Sequence, residues 1–235
     1  MKMNDKIIPS LLITVGLLCL GLCIRSGFVS FSNRDRVVSV RGLAEREVKA
    51  NKVTWPIVSK IVGNDMNQVY NDIQNSNKII IDYLKKNGIK DAEISINAPQ
   101  IVDAQANIYA SEKIRFRYSV TQIIVVVSND VDNVRKLISN QSELLKQGIA
   151  ISADDYENHV TYEFTDLNSI KPEMIAQATQ AARQAGEKFA KDSDSNLGKI
   201  KSATQGQFSI EDRDSNTPYI KNVRVVSYIE FYLED

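Results

Sequence analysis

Apolar and polar residues alternate through Val38, Val40, Gly42, Ala44 and Val48, set against Ser39, Arg41, Glu45, Glu47 and Lys49. A period of two predicts a strand with one solvated face. Asn51-Lys52 supplies a turn, and Val53, Trp55, Ile57 and Ile61 continue the alternation, so the pattern predicts a long hairpin. Pro56 has no N–H to give a ladder and belongs at an edge or a bulge. After Gly63-Asn64-Asp65 the period changes. Met66, Val69, Ile73, Asn77, Ile80 and Leu84 fall on one helical stripe that ends at Asn87-Gly88.

Residues 89–102 predict a third strand and 103–111 a polar loop. A fourth strand follows, with Phe116, Tyr118 and Val120 on one face and Arg115, Arg117, Ser119 and Thr121 on the other. Its end, 123–127, is apolar throughout, as in a strand covered on both faces. Residues 130–138 predict a short helix, extended loosely to Gly148, and Val160, Tyr162 and Phe164 a fifth strand. The stretch 171–199 predicts the main packing helix, with Pro172 in its first turn and Gly198 past its end. Ala178, Ala182, Ala185 and Phe189 form its expected stripe, small enough to let a sheet come close. Strands at 200–210 and 223–233 complete the chain, joined by a polar loop, 211–221, of the composition that mobile loops have.

The resulting order, ββαββαβαββ after an N-terminal hydrophobic helix, predicts an α+β fold of mainly antiparallel sheet with packed helices. Residues 36–235 form the expected domain, with 36–127 and 128–235 as candidate lobes.

Residues 7–24 are an uncharged run of 18 after Lys2 and Lys6. At about 1.5 Å per residue the run reaches roughly 27 Å, close to the thickness of a hydrocarbon core. Segment 1–32 is therefore a signal anchor or a signal peptide. The absence of an Ala-x-Ala site and the presence of Arg25 favour the retained anchor. The preceding lysines place the remainder outside the cytoplasm. Both cysteines, Cys19 and Cys23, lie in the run, so the expected exported part has no disulfide and no thiolate site. Without Lys2, Lys6, Arg25 and Asp5 the chain keeps 26 basic and 28 acidic residues, a balance that gives no electrostatic case for nucleic acid.

Candidate chemistry is sparse. His159 is the single histidine and reads as a surface residue, because a metal or nucleophile site needs partners the pattern does not supply. Glu45/Glu47 and Asp154/Asp155 read as solvated carboxylate pairs. Arg115 and Arg117 share a face that suits an anion, solvent or a subunit. Asn77 stands out as a polar residue on an apolar stripe, expected to tie its helix to a neighbouring loop or strand end, with ligand binding as the alternative. Trp55 with Ile57 suits either a core or an inter-subunit anchor. Walker, His-Glu-x-x-His and Gly-x-Ser-x-Gly motifs are absent. No catalytic, cofactor or metal residue is assigned, and the chain reads as a non-enzyme.

An ordered set of segments resembles the SIMPL-domain family (domain of unknown function 541). The set comprises Val38-Ser39-Val40-Arg41-Gly42; Asn77 with Leu84-Lys85-Lys86-Asn87-Gly88-Ile89; Tyr118-Ser119-Val120-Thr121; Gly148-Ile149; Val160-Thr161-Tyr162-Glu163-Phe164; and the helix from Ala176 to Phe189 with Leu197-Gly198-Lys199-Ile200. The chain departs from the family pattern in two places. Lys52-Val53-Thr54-Trp55-Pro56 stands where a Pro-Asp pair is usual, and Gly42-Leu43-Ala44 where Gly-x-Gly is common. The resemblance implies an α+β bacterial envelope protein with a capacity to form rings or channel-like oligomers, relatives linked to oxidative-stress tolerance, and no established catalytic residues. The expected function is accordingly a single-pass inner-membrane protein with a periplasmic domain, or a periplasmic one if the signal is cleaved. It would act through homo-oligomeric assembly or contact with an envelope partner. The alternative is a small-molecule or peptide binding module with a cleft near loops 103–111 and 211–221. A hydrolase ranks last, since no nucleophile–base pair can be named.

A retained anchor has a direct consequence. Protein extracted from membranes should show an intact mass near 26.4 kDa, and a mature N-terminus near Asn33 would exclude the anchor.

Overall fold

The computed structural model describes residues 4–33, 36–106, 115–152 and 158–234. The elements, in chain order, are helix α1 (Asn4–Asn33), strands β1 (Val37–Lys49) and β2 (Lys52–Gly63), helix α2 (Met66–Lys86), strands β3 (Ile94–Ile96), β4 (Gln100–Asp103) and β5 (Tyr118–Ser128), and helices α3 (Val131–Ser139) and α4 (Ser142–Lys146). Then come β6 (Thr161–Glu163), α5 (Leu167–Asp192), β7 (Asn196–Gln205), β8 (Ser209–Asp212) and β9 (Ile220–Glu234). The fold is α+β with two antiparallel sheets.

Within α1, residues Leu11–Phe28 have a mean hydropathy of 2.0 and none is buried, so this 18-residue stretch is long and apolar enough to cross a membrane.

Contacts divide the chain into two interleaved units. One holds Met1–Arg46, Asn168–Ser209 and Val223–Asp235; the other holds Glu47–Leu167 and Ile210–Asn222. The expected break near residue 127 falls inside β5, in the middle of the second unit. The reason lies in the last strand, which returns to the start of the chain: the Leu233 N–H donates to the Arg36 carbonyl over 2.9 Å.

In the first unit, one sheet runs β1-β9-β7, and Val40, Ala182, Ile229 and Phe231 form its core. Helix α5 meets this unit through Met174, Ala178, Ala182, Gly186 and Ala190, all buried and strictly four residues apart. The stripe therefore differs from the expected one, and Phe189 is 58% exposed. The helix also begins at Leu167, so Pro172 lies in its second turn and not its first. The close approach anticipated from the small residues is there. A Cβ on Gly42 would overlap the Ala178 carbonyl oxygen and stand 2.5 Å from the Ala182 nitrogen. Backbone packs on backbone at this point.

In the second unit, a sheet runs β3-β5-β2-β6, with β4 also on β5. The expected β1–β2 hairpin does not form, because the two strands join different sheets. Their turn is claimed by other segments. Ala50 N–H donates to the Tyr219 carbonyl (2.8 Å), Asn51 N–H to that of Glu163 (2.9 Å), and Asn51 Oδ1 accepts from Thr165 N–H (2.9 Å). Pro56 lies just past the β6 pairing, which ends at Thr54↔Thr161, so β2 needs no N–H there on that side. Trp55, 2% exposed, belongs to the core with Ile57, Ile80, Leu84, Ile124 and Val126. Only one face of β5 is fully covered: Ile124 and Val126 are buried, Ile123 and Val125 half-buried, and Val127 exposed.

The polar loop after β8 is cross-linked. Asp214 accepts from Asn216 N–H and Thr217 N–H, both at 2.8 Å, and from the Thr217 hydroxyl. Its carboxyl is held down to about 2 by the Thr217 hydroxyl and the Arg213 guanidinium.

Gly42→Ala should destabilise the protein by about 3 kcal/mol, since a rigid backbone on α5 must move to admit the methyl group. Leu43→Ala, at the exposed neighbour, should shift stability by no more than about 0.5 kcal/mol. Denaturant unfolding of the two variants side by side checks the contrast, and equal small effects would refute the seam.

Candidate functional site

Helix α2 is legible residue by residue. Asp65 caps its start by accepting from Asn67 N–H at 2.8 Å, and Gly88, at φ +89°, follows its end. Val69, Ile73, Asn77, Ile80, Tyr83 and Leu84 are buried. The apolar ground beneath it is divided. Val69 and Ile73 pack with Val120 in one cluster; Ile80 and Leu84 pack with Ile124 and Val126 in another. Asn77 stands on the stripe between them.

A polar layer occupies the same level of the sheet. Ser59 of β2 pairs in register with Gln122 of β5. Both continue the inward phase of their strands, Ser59 after Trp55 and Ile57, Gln122 before Ile124 and Val126. Ser59, Gln122 and Asn77 are 3%, 2% and 8% exposed. Gln122 has a structural task. The edge strand beside β5 is interrupted at 97–99 between β3 and β4, and Gln122 Nε2 donates to the Asn97 carbonyl across the gap (2.7 Å). Asn97 N–H in turn donates to the Ile123 carbonyl at 3.0 Å. By contrast, among the described residues Ser59 Oγ and Asn77 Oδ1 are buried without a hydrogen-bond partner. The expected tie from Asn77 to a neighbouring loop or strand end is not made.

Asn77 instead lines a groove of about 430 Å³, within the size range of small-ligand sites. Val69, Ile73 and Ile81 of α2 form one wall, and Ile96, Pro99 and Ile101 of the interrupted edge form the other. Val120 and Gln122 lie beneath, and Met66, Tyr70, Gln74, Lys78, Asp82 and Asn97 complete the lining. Ile96 and Ile101 are each more than half exposed. The chemistry offered is a mainly apolar trough with a few carboxamide side chains and a rim carrying one charge of each sign.

The other sequence candidates are engaged elsewhere. Arg117 is tied to Asp103 by Nε at 3.2 Å and Nη2 at 3.0 Å. That bond holds the Asp103 carboxyl below its ordinary range, so Arg117 is not spare for an anion. Glu45 pairs with Arg224 at 3.2 Å and Glu47 with Arg213 at 3.3 Å; the two carboxylates have separate cations and do not work as a pair. His159 is exposed. Asp154, Asp155 and residues 107–111 of the first polar loop lie outside the described residues. Among the described residues no three His, Cys, Asp or Glu side chains gather as a metal would require. Sequence reasoning missed Ser59 and Gln122, although both are polar residues in phase with buried apolar ones, which is the signal that marks Asn77.

An Asn whose acceptor is unmet contributes little to stability. Asn77→Leu should leave unfolding free energy unchanged or raise it by about 1 kcal/mol. Were the side chain a tie, the same change would lower stability by about 1–3 kcal/mol; chemical denaturation separates the two.

Comparison with known proteins adds the family. No curated protein matches the chain. The family model SIMPL, described as a protein of unknown function (DUF541), matches residues 38–225, which takes in β1, the grooved sheet with α2, and α5. With about four-fifths of its length covered by that match, the chain belongs to the SIMPL family.

Proposed function

We propose that this chain is a membrane-tethered, non-enzymatic binding protein of the bacterial envelope. In this reading α1 is the tether, the SIMPL domain faces the periplasm, and the groove beside α2 receives a small apolar molecule or a peptide. The observation that carries it is the groove itself, where Ile96 and Ile101 stand more than half exposed and a few polar side chains, Gln74, Asn77 and Gln122 among them, share the lining. Apolar walls with a small number of polar groups are the usual make-up of small-ligand sites. The groove lies next to the start of the polar loop 103–111, one of the two places the sequence suggested for a cleft.

Action by homo-oligomeric assembly or partner contact is the second reading. It is favoured by the solvent-facing side of the β1-β9-β7 sheet, where Leu43 and Tyr228 are exposed and Arg41 lies 5.0 Å over the Tyr228 ring. The outer edge of β7 speaks against edge-to-edge pairing. It carries Lys199 and Lys201 and two register shifts, devices that blunt an edge.

The test is a ligand-observed NMR screen of neutral fragments on the full chain in lipid nanodiscs, with Ile101→Glu as the control. That change puts a charge on an exposed wall residue. Fragments with an apolar body and an N–H or O–H should bind and lose about tenfold or more in affinity to the variant. A screen in which no fragment distinguishes the two proteins overturns the groove as the functional site.

A further inference from the structure

We propose that the outer edge of β1 is a docking surface for a second copy of this chain. Two β1 strands pair antiparallel about Leu43, with Arg41 of each copy opposite Glu45 of the other. The inference makes no use of the groove. It rests on the assembly reading and deepens it by naming the surface and its register.

The edge is long and open. Among the described strands β1 neighbours only β9, and its 13 residues include no proline. Two bonds that bracket the pairing show which backbone groups turn outward. The Leu233 N–H donates to the Arg36 carbonyl, and the Ala50 N–H donates to that of Tyr219. These bonds lie fourteen residues apart on both chain segments, so the register is kept and the even-numbered residues of β1 face β9. The odd-numbered ones, Arg41, Leu43 and Glu45 among them, present N–H and C=O to the outer edge. Their side chains lie on the face away from α5, which Gly42 meets. An unblunted edge strand is a template for pairing. The other edge of this sheet is blunted by the lysines and register shifts of β7, whereas β1 has its single lysine at its last position.

The order of charges selects a second copy as the partner. Pairing about Leu43 sets odd residues opposite odd ones, as the outward groups require, and Arg41 then faces Glu45 on both sides of a two-fold axis. Directly opposed side chains have Cβ atoms about 5 Å apart. Leu43, 44% exposed, meets its own copy. Moving the centre of the pairing to Arg41 or to Glu45 would set like charges against each other. Each charge also has a neighbour on its inner side: Arg224 Nε lies 3.2 Å from the Glu45 carboxylate, and Arg41 stands over Tyr228. Across the seam the row reads Arg224, Glu45, then Arg41 and Tyr228 of the second copy, with no like charges adjacent. The two-fold axis between antiparallel neighbours is normal to the sheet, so both tethers can enter one bilayer. The ends of β1 that follow α1 would stand about 40 Å apart, the strand's own length.

The experiment uses the full chain in lipid vesicles, with Cys19→Ser and Cys23→Ser to remove the native thiols and Leu43→Cys to report the seam. A short bis-maleimide should link most of this protein into dimers on a denaturing gel. Thr204→Cys, on β7 in the same background, should stay largely monomeric. Adding Arg41→Glu or Glu45→Arg to Leu43→Cys should cut the dimer yield about tenfold, because like charges then oppose each other. Co-reconstituting those two proteins should recover the yield, as should both changes in one chain. Mixing would not repair a damaged fold, so recovery reports the pairing itself. Equal linking of the two sites, a yield indifferent to charge reversal, or no recovery on mixing overturns the proposal, and so does the absence of a link at residue 43. Light scattering of the thiol-free chain in detergent then separates the two failures. An oligomer leaves the assembly reading standing on another surface, and a monomer removes both.

Discussion

Eleven consecutive residue pairs join β2 to β5, from Val53↔Ser128 to Gly63↔Tyr118, and that ladder decides what α2 rests on. Side chains alternate across a strand, so a slip of one residue would turn Trp55, Ile57, Ile124 and Val126 out of the core together. All four are buried at 2% exposure or less, which makes the register expensive to change. The same ladder sets Ser59 opposite Gln122. The polar layer under Asn77 is therefore fixed by the strongest apolar contacts in the unit, and the groove inherits its floor from them.

Much of this was legible along the chain. Helix α2 announced its stripe, its Asp65 cap and its Gly88 stop because a 3.6-residue period and its end signals are local properties. Asn77 was visible as the polar member of that stripe. Whether it had a partner was not, because that depends on what β2 and β5 bring beneath it from 18 and 45 residues away. The partition of β1 and β2 into separate sheets was hidden for the same reason. An alternating pattern around Asn51 looks like a hairpin locally, and only the distant acceptors Tyr219 and Glu163 show where the turn's donors go. The expected strand over 89–102 contained its own warning in Asn97-Ala98-Pro99, and the break there opens the groove. Phe189 misled in the other direction. A large apolar residue pulled the expected α5 stripe toward itself, while the true contact needed small residues at a constant spacing of four.

The two units solve the helix-on-sheet problem differently. In one, Gly42 and the alanines of α5 bring two backbones together, so there is no room for a guest or for an added methyl. In the other, branched side chains hold α2 off the sheet at Val69, Ile73, Ile80 and Leu84, and the interrupted edge strand supplies only Ile96, Pro99 and Ile101 as the facing wall. A groove is what remains when bulky contacts set the spacing and the sheet ends early. Its size follows from packing, and its chemistry from the one polar residue on the stripe.

An unmet carboxamide at that point has a cost that other residues would avoid. Leaving a buried acceptor unpaired costs about 1–3 kcal/mol, whereas Leu on the same stripe would join the two apolar clusters into one. An ordered water is the simplest remedy, but a buried water needs two to four polar partners to be held well. Beneath α2 the nearby candidates are few: Gln122 Nε2 is already committed to the carbonyls of Asn97 and Ile123, and Ser59 Oγ is itself without a protein partner. A guest entering along the groove would bury Ile96 and Ile101, apolar surface that the empty protein leaves in water.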